Sequence, residues 1–360
     1  MKTSSVPLFQ EIQIRNLTIS NRVWVSPMCQ YSASDGMASD WHRVHLGSFA
    51  TGGVGLAMVE ATGVVPEGRI SIGCLGLWSD DHALALKPTV DFAHSMGTAI
   101  GIQLAHAGRK GSTMRPWDGH LIASSEEGGW QTVSATDIAF HGMPAPRPLS
   151  TSEIADLVES FAKAAMRAIN VGFDVIELHS AHGYLFHQFL SPLSNHRTDG
   201  YGGDFAGRTR FLLETVKRVR EVIPQATPLF VRISATDWVE GGWVLDDSVL
   251  LAIELKKLGV DLIDVSTGGS VHNAIIPVGP GFQVPMAEAI KHGANIATAA
   301  VGFITQPEQA NEIVASHRAD AVMLGREMLR NPRWALMASE ELEVKIPWPR
   351  QLERARTRQN

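Results

Sequence analysis

Short apolar runs alternate along this chain with stretches in which apolar residues recur at helical spacing. The runs that predict strands cover 23–28, 56–64, 99–106, 175–179, 229–234, 262–266, 296–301 and 321–325. Several are apolar almost throughout, as in strands covered on both faces of a parallel sheet. The intervening stretches carry helix stops and starts. Thr151-Ser152-Glu153 opens an amphipathic stretch that Gly172 ends, and 208–222 stops before Pro224. A third helix spans 246–258 before Gly259, and a fourth runs from Pro307 to His317.

Strand and helix in alternation mark βαβ units. An open doubly wound sheet would show the same local pattern. Eight units that use up the chain and leave no second domain instead predict one α/β fold, a single (β/α)8 TIM barrel over 1–360. Two connections are long, 111–148 after the third strand and 268–282 after the sixth, and loops of that size usually carry function. The first, with Trp117 and Trp130, is expected to form a capping loop or hairpin.

Composition narrows the partners. Hydrophobic residues make up 44% and charged residues 19%, enough apolar material for a large core. The net charge is −6 with basic residues scattered, which argues against nucleic acid. Two cysteines, Cys29 and Cys74, argue against a secreted disulfide framework and fit a reducing compartment better. The start, MKTSSVPLFQEIQIRN, has no apolar signal-peptide core, and no run approaches the roughly 20 apolar residues of a membrane span. The expected location is the cytoplasm, away from membranes.

Barrels of this kind gather their chemistry where strands end. Those positions hold Ser26-Pro27-Met28-Cys29 and Tyr31, Glu60-Ala61, Gln103 and His106, then His179 to Tyr184, Arg232, Ser266, Gly302 and Gly325-Arg326. Gly302 and Gly325-Arg326 follow strands seven and eight, a common phosphate site, although turn glycines beside a surface arginine would look the same. His179 and His182 could suggest a metal, but zinc enzymes want a third ligand and an acidic base, and no carboxylate-rich rim accompanies the pair. Two neutral imidazoles can instead hold a carbonyl oxygen, with Tyr184 supplying a proton. Arg232 is costly to bury alone and fits either a structural ion pair or a fixed cation facing an anionic ring. Cys29 alone reads as an inert buried thiol or as a sulfur that tunes a neighbouring group.

The stretches SPMCQYS, GIQLAHAGRK, IELHSAHGYLFHQFLSPLSNHRTDGYGG, RTRFLLE, LFVRISATD and VMLGREMLRNP, in that order, resemble the Old Yellow Enzyme family of FMN-dependent ene-reductases. Within it they are most similar to the thermophilic-like branch of NADPH dehydrogenases and xenobiotic reductases. The resemblance runs from Leu8 to Arg354. It implies FMN held by Ser26, Pro27, Met28, Cys29, Ala61, Gln103, Arg232, Val301, Gly302, Gly325 and Arg326. It implies a substrate carbonyl bound by His179 and His182 beside Tyr31, with Tyr184 as proton donor and Cys29 next to the flavin. It further implies NADPH as reductant, small enone-type substrates, no metal, and a homodimer or homotetramer. In that assembly the tail, 341–360, would lie at an interface, with Arg354 reaching a neighbouring site. No G-x-G-x-x-G joins a strand to a helix, so nicotinamide and substrate would share one mouth in a ping-pong cycle.

Overall fold

The computed structural model describes residues 5–356; the extreme ends of the 1–360 span and of the 341–360 tail lie outside the described residues. Eight parallel strands close into a barrel: Val23–Val25, Leu56–Gly63, Ala99–Ala105, Val175–Ser180, Leu229–Ser234, Leu262–Ser266, Ala297–Ala300 and Ala321–Leu324. The first pairs with the eighth, so the ring has no free edge. All eight coincide with the predicted runs. The first is shorter than expected because Pro27 has no N–H for the ladder, and the chain leaves the sheet after Val25.

Helices cover the outside. Thr151–Val171 is capped by Ser150, one residue before the expected start: its side chain accepts from Glu153 N–H, and the Glu153 carboxylate accepts from Ser150 N–H in return. Phe205–Val222, Leu245–Lys257 and Pro307–Ala315 match the other predicted helices within a turn. Asp40–Ala50, Asp80–Ser95 and Val284–Ala294 lie outside the stretches predicted helical. Asp40–Ala50 carries His42, His45, Gly47 and Ser48, weak helix formers whose conformation is set by packing on the barrel. No helix among the described residues is long and apolar enough to cross a membrane.

The barrel interior is sealed at its amino end. An antiparallel hairpin, Ile12–Ile14 with Leu17–Ile19, packs Ile14 and Ile19 against Trp24, Leu56, Met58, Val175, Phe230 and Leu262. Trp24 stacks on Phe230 with ring centroids 5.9 Å apart. The loop after the third strand has an antiparallel bridge, Thr113 to Ile122, so the expected hairpin is present in reduced form. Its other pairing, Val133–Ser134 with Arg147–Pro148, is parallel and therefore no hairpin.

Candidate active site

On three consecutive strands the inward positions change character over four residues. Val175, Glu177 and His179 share one face of the fourth strand, as do Phe230, Arg232 and Ser234 on the fifth and Leu262, Asp264 and Ser266 on the sixth. The first of each triplet is apolar and the next two are polar, all of them buried. Arg232 Nε lies 3.0 Å from an Asp264 carboxylate oxygen, so the buried ion-pair alternative for this arginine is present. Gln103 donates to Glu177 at 2.8 Å. Burial raises the pKa of Glu177 and Asp264; the Asp264 carboxylate raises that of Glu177 further, while Arg232 opposes the shift in both. These two carboxylates correct the expectation of a rim poor in acids. They interrupt the apolar runs VIELHS and LIDVS, and that interruption was the available signal.

The second strand reaches the site through a bulge. Val59 pairs with Ile102 but Ala61 with Gln103, so Glu60 is the extra residue. Ala61 thereby sits beside Gln103, and Glu60 turns to His42, whose Nε2 lies 3.2 Å away, and to Gln30 N–H at 3.1 Å.

His179 and His182 meet at the end of the fourth strand. His179 Nε2 and His182 Nδ1 are 3.4 Å apart, with rings nearly perpendicular. Ala181 N–H donates to His179 Nδ1, and Ser266 Oγ lies 2.7 Å from His182 Nε2. The Tyr184 ring packs on His179 with centroids 5.0 Å apart. His182 holds a left-handed backbone, φ 59°, uncommon for a residue with a Cβ. Gly183 follows in the same region, and a Cβ there would come within 2.2 Å of Gly269 O. The turn is pinned from behind: Gly183 N–H donates to His187 Nδ1, while His187 Nε2 lies 2.9 Å from the Asp237 carboxylate. Burial first, and the Arg232 charge second, hold both site histidines well below the ordinary imidazole pKa, so they are neutral near pH 7. Burial raises the Tyr184 phenol well above its usual range, keeping its proton in place.

Lys110 was absent from the sequence-predicted set. Its ammonium donates to His182 O at 2.8 Å and Gly269 O at 3.0 Å and lies 5.3 Å from the Tyr184 ring centroid. Burial, then neighbouring Arg109, lowers its pKa to about 8. It follows GIQLAHAGR directly, a position from which its partners on two distant loops are not readable. Lys110, Tyr31, Tyr184 and Phe140 border a cavity of about 510 Å³.

A second cavity, about 240 Å³, is lined by Val301, Gly302, Phe303, Gly325 and Arg326. The fit of FMN can be tested on this cradle. Gly302 has φ 121°, and a Cβ there would come within 2.9 Å of Gln283 Nε2, whereas one at Gly325 would meet nothing nearer than Met28 Sδ at 3.8 Å. The Arg326 guanidinium sits 4.6 Å from the Phe303 ring centroid, a fixed cation at this open cradle. A phosphate fits a cation beside bare backbone, and Gln103 with Arg232 offers amide and cationic groups suited to a flavin's pyrimidine edge. Ser26, Pro27, Met28 and Cys29 follow directly where the chain leaves the first strand, with Met28 beside Gly325 of the cradle. Arg354 is the residue the structure does not bring in. It is exposed in the turn Arg350–Ala355, while Ile346 to Gln351 pack beside Asn21, Val54 and Thr98, at the amino ends of the strands.

A closed (β/α)8 barrel with a phosphate-type cradle and a neutral His/His/Tyr cluster at one mouth defines an FMN-dependent oxidoreductase. Residues 7–345 match the NADH:flavin oxidoreductase / NADH oxidase family, and the chain belongs to it, as a flavin oxidoreductase of Old Yellow Enzyme type. The chain is 47% identical over 350 residues to an NADPH dehydrogenase of Halalkalibacterium halodurans, covering 97% of this chain and 98% of that one. An NADPH dehydrogenase of Geobacillus thermodenitrificans is 48% identical over 350 residues, with 96% and 98% covered. Among solved structures, morphinone reductase superposes with a TM-score of 0.78 at 27% identity, covering 97% of this chain and 93% of its own. A 2-naphthoyl-CoA reductase superposes with a TM-score of 0.86 at 25% identity over 93% of this chain and 52% of its own.

Proposed function

We propose that this enzyme takes electrons from NADPH and reduces carbon–carbon double bonds conjugated to a carbonyl, with both substrates visiting the same mouth in turn. The observation that carries the reading is the 3.4 Å approach of His179 Nε2 to His182 Nδ1. With Ala181 N–H on His179 Nδ1, the proton of that neutral ring resides on Nε2. When the Ser266 hydroxyl donates to His182 Nε2 rather than to Gln283 Oε1, the second proton lies on Nδ1. Two N–H groups then point at one spot, an arrangement relieved when an acceptor oxygen sits there. A carbonyl so held is polarised, and negative charge developing on its oxygen is stabilised.

Tyr184, beside His179 and kept protonated by burial, is positioned to give its proton to the α-carbon, with Lys110 stabilising the phenolate it leaves. Tyr31, which lines the same cavity as Tyr184, would bound the substrate. Bound FMN would supply the two-electron chemistry that links nicotinamide oxidation to alkene reduction. Ser26, Pro27, Met28, Cys29 and Ala61 would contact its ring, Gln103 and Arg232 its pyrimidine edge, and Val301, Gly302, Gly325 and Arg326 its phosphate. The tail's position at the barrel's amino end supports a role for Arg354 only across a subunit interface, in a homodimer or homotetramer.

Steady-state rates with NADPH and 2-cyclohexenone varied together test this reading. Parallel double-reciprocal lines are expected, with bleaching of the yellow colour by NADPH alone under nitrogen. Intersecting lines would overturn the shared mouth, and absence of enone reduction would overturn the substrate class.

A further inference from the structure

The chain's two cysteines are distant in sequence and adjacent in space. Cys74 is buried in a turn whose first residue, Ser71, accepts its backbone N–H at 3.0 Å. That turn is laid against the exit of the first strand: Ala33 N–H donates to Gly73 O at 2.9 Å, and a Cβ at Gly73 would come within 2.6 Å of Tyr31 O. As a result Cys29 Sγ, Cys74 Sγ and a Glu60 carboxylate oxygen lie within 4.8 Å of one another. Neither sulfur is in a disulfide, and no third cysteine exists to compete. The proposed flavin chemistry uses Cys29 only as a ring neighbour and leaves Cys74 without a role.

We propose that Cys29 and Cys74 form an oxidisable pair, which hydrogen peroxide converts to a disulfide tying the flavin-side exit of the first strand to the turn that holds Cys74. Cys29, half-buried where Cys74 is fully enclosed, meets the oxidant first. Its thiol attacks the peroxide, the O–O bond breaks, and Cys29 sulfenic acid forms with release of one water. The Cys74 thiol then attacks the Cys29 sulfur, the S–O bond breaks, and a second water leaves with the proton of Cys74. The two thiols together lose two electrons, and one peroxide is reduced to two waters. Glu60, oriented by His42 and by Gln30 N–H, is the carboxylate at hand to carry the thiol proton. Having a second thiol in reach diverts the sulfenic acid from the irreversible sulfinic and sulfonic stages. The neighbouring Cys74 thiol and burial hold the Cys29 thiol well above its usual pKa, so the reaction is slow at neutral pH and quickens as pH rises.

The test uses the full FMN-loaded chain, treated with peroxide and then split into portions with and without dithiothreitol. Intact-mass measurement should show loss of two hydrogens, peptide mapping should recover the 29–74 cross-link, and enone reduction should fall severalfold and return with the reductant. In Cys74→Ser, with flavin content and starting rate like the parent, the same treatment should leave Cys29 as sulfinic or sulfonic acid beyond rescue. The mass result on the unsubstituted chain stands even if the variant folds poorly, and it does not depend on which alkene is reduced. Oxygen gained at Cys29 with Cys74 still free, an unreacted pair, or full rescue of Cys74→Ser would each overturn the proposal.

Discussion

The two ends of the barrel interior are built on the same strands and obey opposite rules. At the amino end Trp24, Leu56, Met58, Val175, Phe230 and Leu262 form a dry layer closed by the hairpin residues Ile14 and Ile19. Two residues beyond Val175, Phe230 and Leu262 stand Glu177, Arg232 and Asp264, and two further again His179, Ser234 and Ser266. The first layer stabilises by removing apolar surface from water, and nothing in it depends on precise orientation. The second keeps charge out of water, which opposes folding unless each group has a partner. Arg232–Asp264 and Gln103–Glu177 supply those partners, and what they hold in place is a mouth of neutral donors.

Substitutions one step apart should separate the layers, and the largest effect is expected at the bottom. Phe230→Ala removes a stacked ring from the sealed layer and should cost about 3–5 kcal/mol of stability, read as a lowered unfolding midpoint. Flavin content and rate per folded molecule should hardly change. Arg232→Met should cost less stability, because Glu177 and Asp264 can each take up a proton when the cation goes. It should instead deplete bound FMN, read as absorbance per protein. If Phe230→Ala lost flavin while Arg232→Met kept it, the division between layers would be wrong.

How much of this was visible in the chain follows the same division. The barrel was legible because apolar runs and helical spacing repeat through all eight units, and the polar mouth because His179, Arg232 and Ser266 break those runs. The Glu60 bulge was not, since one extra residue in an apolar run leaves no trace in the pattern yet reverses which side chain faces inward. Lys110 was missed because its significance lies in His182 O and Gly269 O, partners supplied by two other loops. Arg232 read either as an ion-pair member or as a ligand-facing cation; its Asp264 partner is on the neighbouring strand, a register that only the closed ring sets.

Within the mouth, the imidazoles should matter more than the phenol. His179→Ala or His182→Ala should lower enone kcat/KM by about 10²–10³, the scale for losing a donor to developing oxyanion charge, with FMN retained. Tyr184→Phe should lower kcat by about 10² at most, because solvent can supply the proton more slowly. A pre-steady-state assay sharpens the contrast: flavin reduction by NADPH should be little affected in Tyr184→Phe, and only its reoxidation by enone slowed. Flavin loss in either histidine variant would return that residue to the structural side of the comparison.

The smallest effect is expected at Lys110, where one residue belongs to both sides. Its amine braces two loops through His182 O and Gly269 O, and its charge faces the Tyr184 ring. With its pKa lowered to about 8, it is cationic below that pH and neutral above. In the proposed cycle the cation stabilises the phenolate formed as Tyr184 gives up its proton, so kcat/KM should fall as pH rises through about 8. The drop should be about fivefold, the worth of roughly 1 kcal/mol for a cation beside an aromatic ring. A neutral amine keeps enough N–H groups for both carbonyls, so the brace survives this titration and only the charge is lost. Lys110→Gln should therefore have a lower plateau and no limb near pH 8. If the limb persists in that variant, another group titrates there, and Lys110 serves the mouth only by holding its loops together.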